Sequence, residues 1–502
     1  MERHDVVVIG AGIAGLTAAA LLAKANRDVL LLEAHHQSGG CAGTFRRGPF
    51  VFDVGATQVA GLEPGGSHAR VFRHLEVSPP HARPLDPACV VHLDDGSPPI
   101  HLWRDPDRWQ RERERRFPGS DRFWAFCQAL HQANWRFAGR DPVLPPRTFW
   151  DLRKLLTALD PGNLASGLLG LSSVADLLQL CGCGGDRRLR RFLDLQLRLY
   201  SQEPADRTAA LYGATVLAMA QAPLGLWHLN GSMQRLSATL EGALSRWGGT
   251  LQLRSRVTQL RQLPAGGWRI GFIGPDRRES QLEAADVVCT LPPQLLPDLL
   301  GEAMPAPYAR RIASFGEPSG ALVLYGAVSR ERLPIDVPSH LQRDWADPGS
   351  LFVSVSQEGD GRAPAGQATV IASVFTPARP WFALDPAAYE AAKVRAMAGI
   401  QRGLGALLGL DAGDWLHAEL STPRGFQRWT GRPMGYVGGL GQHPSRFGPF
   451  GLSSRSPLPG LWLCGDSLYP GEGTAGVTLS ALTACRQLLA ARGQELSLTS
   501  GS

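Results

Sequence analysis

One stretch constrains the fold more than any other. Val6-Val-Val-Ile-Gly-Ala-Gly-Ile-Ala-Gly15 is followed by a helical pattern and then by Leu30-Leu-Leu-Glu33. The apolar residues before Gly10 read as a short buried parallel strand, and Gly10, Gly12 and Gly15 form the G-x-G-x-x-G turn that opens the next helix. Gly10 permits the tight turn, Gly12 leaves room for a pyrophosphate to approach the backbone, and Gly15 lets helix and strand pack closely. The free N–H groups at this helix start, from Ile13, Ala14 and Gly15, face the phosphate charge. Glu33 ends the second apolar run, where its carboxylate accepts hydrogen bonds from ribose hydroxyls and repels a 2′-phosphate, so NADP is disfavoured. Strand, helix, second strand and acid stand in register, which argues for a bound dinucleotide over a loop that binds nothing. Residues 6–23 are uncharged and mostly apolar and so resemble a membrane span, but their glycines fall on the turn motif and favour the non-spanning reading.

At 502 residues, 44% of them hydrophobic and 19% charged, the chain is long enough for two or more domains with full cores. Lys24, Lys154 and Lys393 are its lysines, so arginine supplies nearly all of the 51 basic residues, a skew that fits GC-rich coding. The net charge of +6 is modest for this length, and without a basic tail no nucleic-acid partner is expected. The dense run Arg108-Trp-Gln-Arg-Glu-Arg-Glu-Arg-Arg116 reads as a solvated helix face of alternating charge. The cysteines lack C-x-x-C or metal-ligand spacing, so free thiols in a reducing compartment are expected and no metal is. The first strand begins within a few residues of Met1, which leaves no room for a signal peptide and predicts a location on the cytoplasmic side.

Ser38-Gly39-Gly40-Cys-Ala-Gly-Thr-Phe-Arg46 and the strand-like Phe50-Val-Phe-Asp-Val-Gly-Ala56 follow the nucleotide unit. A glycine pair behind the ribose-binding acid lets backbone amides reach the far side of a long cofactor, which suits FAD better than NAD. Residues 75–224 turn to proline-punctuated apolar helices, among them 122–130 and 186–200; residues 164–180 read as one core or interfacial helix, and no transmembrane helix is expected. Asp286-Val-Val-Cys-Thr290 reads as a buried strand that rejoins the nucleotide sheet, and 321–325 and 368–374 as strands of a second domain. Gly460-Leu-Trp-Leu-Cys-Gly465-Asp466 is a strand ending in Gly-Asp, which places a carboxylate on the ribityl chain of a flavin. The helix opening at Thr474-Ala475-Gly476-Val477 points its positive end at the same cofactor. The expected fold is α/β: a Rossmann-type FAD-binding domain made of residues 1–74, 225–298 and 426–502, and a mixed α+β substrate domain made of 75–224 and 299–425, both discontinuous in sequence.

These blocks resemble the FAD-dependent carotenoid desaturases and isomerases of the phytoene-desaturase type. The resemblance rests on Gly10-x-Gly12-x-x-Gly15 with Glu33, Gly39-Gly40, Phe52-Asp53-Val54-Gly55, the 231–257 unit ending at Val257, and Cys464-Gly465-Asp466 through Val477. Residues 53–66, 139–147 and 465–476 are more narrowly similar to the carotenoid 3′,4′-desaturase subgroup. The resemblance implies an FAD domain of the glutathione-reductase and amine-oxidase kind, and oxidation of a polyene by hydride loss to flavin followed by proton loss. It implies Val257 as a further cofactor contact. Such chemistry needs an apolar tunnel and at most a weak base; Asp141, Arg147 and Glu472 are the candidates for the proton step. Asp141 paired with Arg147, and Glu472 as a helix N-terminal acid, are their structural alternatives. A carotenoid must be drawn from lipid, so a peripheral membrane contact is expected on residues 123–180, which otherwise read as plain core. A redox-neutral carotenoid cis-trans isomerase, a flavin amine oxidase and a non-catalytic relative of the prenyl-protein chaperones remain as competing readings.

Overall fold

The computed structural model describes residues 1–345 and 349–498, and its central layer grows from the strand Arg3–Ile9, the last four residues of which are buried. It pairs in parallel with Val29–Leu32 on one side and with Glu279–Cys289 on the other, placing Val6 opposite both Val29 and Asp286. Thr250–Gln252 extends the ladder beyond Val29–Leu32. Along its other edge, Glu279–Cys289 carries the antiparallel strands Trp268–Ile273 and Arg256–Gln262 first and Leu461–Leu463, in parallel, at its end. The result is a seven-stranded sheet built from three distant stretches of chain. Parallel strands covered on both faces read as unbroken apolar runs, as Val29–Leu32 does.

The helix Ile13–Lys24 is buried at every position except Lys24, because Gln234–Arg246 and Thr474–Ala491 pack along it. That sandwich is why so apolar a run needs no lipid. The opposite face of the sheet is covered by Leu296, Leu299 and Ile312 against Trp268 and Val287. Among the described residues no helix is long and apolar enough to cross a membrane.

A second seven-stranded sheet runs in the order Trp415–Ser421, Gly320–Ser329, Gln367–Thr376, Leu351–Val355, His340–Arg343, Val90–His92 and Ile100–His101. It is antiparallel except where His340–Arg343 meets Val90–His92. The helix Pro386–Leu408 covers one face through Ile400, Leu404 and Leu408. Ala321, Val323, Phe352 and Phe375 on this sheet help to wall a cavity. Helices between residues 106 and 218 close that cavity from another side around a core that includes Phe117, Phe123, Trp124 and Phe192.

Two local expectations differ. Residues 164–180 are two short helices, Pro161–Gly167 and Val174–Leu180, because Ser173 and Asp176 form a reciprocal cap that starts the second afresh. The helix Pro106–Arg116 does not present all its charges to water, since Glu112 is buried and bonded by Arg115 and Arg116.

A buried ionic knot ties the layers together. Arg362 donates through Nε and Nη2 to Asp53 Oδ2 (3.1 and 2.9 Å) and through Nη1 to Asp360 Oδ2 (3.1 Å) and the Leu229 carbonyl (3.0 Å). The other Asp53 oxygen accepts the Met233 N–H at 2.8 Å, just before the Gln234–Arg246 helix. Burial pushes the Asp53 carboxyl up, and Arg362 opposes the rise. Burial also raises Asp360, but His228 and Arg362 outweigh it and bring that carboxyl down to about 2.

Candidate functional site

Each glycine of the first turn is required for a different reason. Gly10 has φ +95°, and a Cβ there would stand 2.6 Å from Thr290 Oγ1. A Cβ on Gly15 would stand 1.8 Å from the Gly10 carbonyl oxygen, so only glycine permits this helix to leave the strand so closely. A Cβ on Gly12 would meet no protein atom within 4 Å. It faces the open space in front of a helix N-terminus that has no side-chain cap. Gly12, Ile13 and Ala14 line that space, and uncapped helical N–H groups favour an anion there. Glu33 is fixed beside it, Oε2 accepting from Ala11 N (2.6 Å) and Oε1 from His35 N (2.8 Å). Gly39, at φ +109°, bridges to Gly12 and donates to the Ala11 carbonyl at 2.8 Å, and Gly40 continues the same wall.

The C-terminal motif completes the cradle. Gly465, at φ +136°, and Asp466 line the cavity, as do Thr474, Ala475, Gly476 and Val477 at the start of the Thr474–Ala491 helix, which is also uncapped. Asp466 Oδ2 is 2.9 Å from Arg432 Nη1, while the buried Arg432 Nε has no partner among the described residues. Burial disfavours the Arg432 charge, but Asp466, Cys41 and Glu472 hold its pKa above the usual value. An unsatisfied donor, two uncapped helix starts and a side-chain-sized gap at Gly12 fit the phosphates and polyol chain of FAD. Arg432→Met is expected to leave Asp466 unpaired and to weaken FAD binding on the order of tenfold, about 1.4 kcal/mol. Titration of deflavinated protein with FAD measures this.

Not every sequence candidate arrives here. Val257 packs on the core of the sheet's far face and is not on the cavity wall. Asp141, at φ 55°, is turned away from Arg147 and is held by Arg70 Nη2 (3.0 Å) and Arg486 Nη2 (2.6 Å). Arg147 is exposed and uses its backbone N–H to bond Asp151 Oδ2 at 3.0 Å. Glu472 does line the cavity. It is not a cap of the helix that follows, because its Oε2 accepts from Gln202 Nε2 (2.7 Å) and Gly439 N (3.1 Å). Burial raises this carboxyl to about 8, although Gln202 and Gly439 pull against the rise. Arg432 and Gln202 were not foreseen, since neither belongs to a motif.

The cavity has a volume of about 690 Å³ and is continuous from Gly12 and Glu33 to an apolar end. That end is walled by Leu199, Leu211, Tyr212, Val216, Met219, Phe352, Phe447 and Tyr469. Tyr212 and Tyr469 both meet Phe447, with ring centroids 5.7 and 5.6 Å apart.

Comparison with known proteins agrees with this arrangement. The profile of the family described as flavin containing amine oxidoreductase matches residues 13–489. The chain is 25% identical over 519 residues to a chloroplastic prolycopene isomerase of Arabidopsis thaliana, covering 98% of this chain and 84% of that one. It is 24% identical over 517 residues to a 4,4′-diapolycopene oxygenase of Methylomonas sp, covering 95% and 97%. Among solved structures, putrescine oxidase bound to putrescine superposes with a TM-score of 0.66 at 17% identity over 98% of this chain and 99% of the other. Cyclohexylamine oxidase from Brevibacterium oxydans gives 0.61 at 17% identity over 97% and 99%. These two likenesses establish the fold.

Proposed function

Because the chain belongs to the family of flavin containing amine oxidoreductases, we propose that it is an FAD-dependent carotenoid desaturase, acting at the C-3′,4′ position. FAD is the cofactor; when bound it supplies acceptance of two electrons as hydride from a carbon beside the polyene. The observation that carries the reading is the single cavity running from the dinucleotide cradle to a wall of rings and aliphatic side chains. Such a wall orients a long hydrocarbon and excludes water, and its aromatic faces stabilise the delocalised cation left by hydride loss. The carotenoid names of the relatives support the substrate class; an amine would find Glu472 as a carboxyl on an otherwise largely apolar wall.

Isomerisation without net redox change is the second reading, favoured by the prolycopene isomerase match across 98% of this chain. Expression in cells that accumulate a monocyclic or acyclic carotenoid separates the two. Desaturation is expected: the pigment loses two hydrogens and its absorption shifts to the red. Unchanged mass with altered double-bond geometry would transfer the case to isomerisation.

The substrate is dissolved in lipid, and the chain carries a surface suited to a bilayer with anionic headgroups. Phe149, Leu156, Leu164, Leu168 and Leu171 are 84, 58, 59, 87 and 68% exposed. The acids of the same stretch are engaged within the protein: Asp141 by Arg70 and Arg486, Asp160 by Arg140, Asp151 by burial, Asp176 by Ser173. Arg147 and Arg153 remain exposed without an ion pair among the described residues. Trp135 both lines the cavity and is 38% exposed. Phe149→Asp combined with Leu168→Asp is expected to weaken binding to vesicles containing anionic lipid by more than about tenfold, since each large apolar side chain contributes about 1.5–3 kcal/mol on burial. Flotation assays measure it, and equal flotation of variant and native protein would remove this surface from the account.

A further inference from the structure

We propose that Glu472 is the group that exchanges a proton with the bound polyene, through its Oε1 atom; this rests on the reading of the cavity as a polyene site. The orientation of the carboxyl carries the inference. Gln202, itself at φ 58°, accepts the Ser319 N–H on its amide oxygen at 2.9 Å, which turns its amide nitrogen toward Glu472. That nitrogen and Gly439 N both donate to the same carboxyl oxygen, Oε2. Oε1 has no hydrogen-bond donor among the described residues, while Glu472 lines the cavity. Gly438, at φ +69°, makes the placement possible: a Cβ there would stand 2.0 Å from Oε2.

The charged and titratable neighbours are Asp466, Arg432, Tyr212 and Cys41. Arg432 is committed to Asp466 at 2.9 Å, so Glu472 has no counter-ion of its own. Burial raises its carboxyl to about 8, within reach of working pH from either side. Tyr212 cannot share the task readily, because its hydroxyl donates to the Tyr200 carbonyl at 2.6 Å.

The balance is complete for each reaction. In desaturation one hydrogen would leave as hydride with its C–H electron pair, which bound FAD would supply the capacity to accept; the adjacent C–H bond gives its electron pair to the new C=C bond and its proton to Oε1 of the carboxylate. In isomerisation a protonated Oε1 lends its proton to the polyene and recovers it, and no electrons leave. A base must first be ionised, so turnover rises with pH through about 8. An acid must be protonated, so turnover falls across the same range.

Infrared difference spectra of the substrate-free protein between about pH 6 and about pH 10 are expected to show a protonated carboxyl band that fades through about pH 8 and is missing from Glu472→Gln. Glu472→Gln is expected to keep its FAD absorption and substrate affinity while losing turnover on the order of 100- to 10,000-fold and the associated pH limb. Glu472→Asp, which retains a carboxyl one methylene shorter, should recover part of the loss. A native protein without the titrating band, or a Glu472→Gln enzyme with undiminished turnover, overturns the proposal. A falling pH limb with pigment of unchanged mass overturns desaturation instead and leaves proton exchange at Glu472 standing.

Discussion

A Gly12→Val variant is expected to fold, keep its native helix content and emerge from purification colourless. A Cβ at Gly12 would touch no protein atom within 4 Å, so the fold has room for the side chain and the cofactor does not. Crowding of a filled site costs about 1–3 kcal/mol, and each charge-assisted hydrogen bond lost at the helix start costs about 1.5–3 kcal/mol. Together these predict an FAD affinity lower by on the order of 100-fold or more, read from flavin absorbance per protein and from FAD titration. Gly15→Ala provides the contrast. Its Cβ would lie 1.8 Å from the Gly10 carbonyl oxygen, so that variant must disturb the strand-to-helix turn itself and lower thermal stability as well. A yellow, fully active Gly12→Val protein would refute the placement of the pyrophosphate.

Arg362→Met is expected to produce a large stability loss, on the order of 3–5 kcal/mol. Arg362 lies in a place where water cannot replace it: it and its partners Asp53 and Asp360 are 3, 1 and 6% exposed. Removing one member of such a buried set leaves uncompensated charge, which costs about 3–5 kcal/mol. The fall in denaturation midpoint measures it. Arg362→Lys should recover only part, since one ammonium cannot reproduce a guanidinium that reaches both carboxylates and the Leu229 carbonyl. The pH dependence has a definite sign. Asp53 is already raised by burial, and without Arg362 the opposition to that rise disappears. Its protonated form is the one the interior tolerates, so stability is retained at low pH and lost as pH rises through the folded-state value. The gap between variant and native protein therefore narrows on acidification. A gap that widens would show that the knot is not electrostatic in origin.

The nucleotide half of the molecule was legible because each of its residues has a local physical task. A strand, a glycine at positive φ, a glycine under a carbonyl and an acid on the next strand are sequence-near features, and Gly10, Gly12, Gly15 and Glu33 all take up the expected places. The substrate half depends on residues brought together over long separations. Gln202 meets Glu472 across 270 positions, and Arg432 reaches Asp466 from a loop without a motif. Proximity in sequence was misleading at Asp141, where a left-handed backbone turn sends the carboxylate away from Arg147 to helices at 67–75 and 474–491. Leucine content was misleading at 164–180, where a serine cap interrupts the run. Val257 was carried by resemblance alone, and its half-buried side chain packs against the core of the sheet's far face.

The helix Thr474–Ala491 packs on the helix Ile13–Lys24, and the strand Leu461–Leu463 pairs with Glu279–Cys289, which lies beside the first strand, yet both are synthesised long after that first strand and helix. While the protein emerges from the ribosome, the glycine turn at residues 10–15 must wait beside half a binding site, its apolar helix uncovered on one flank. Gly465, Asp466 and Thr474 to Val477 wall the same cavity as Gly12 and Glu33, so the cradle is complete only once this late segment has folded against the rest.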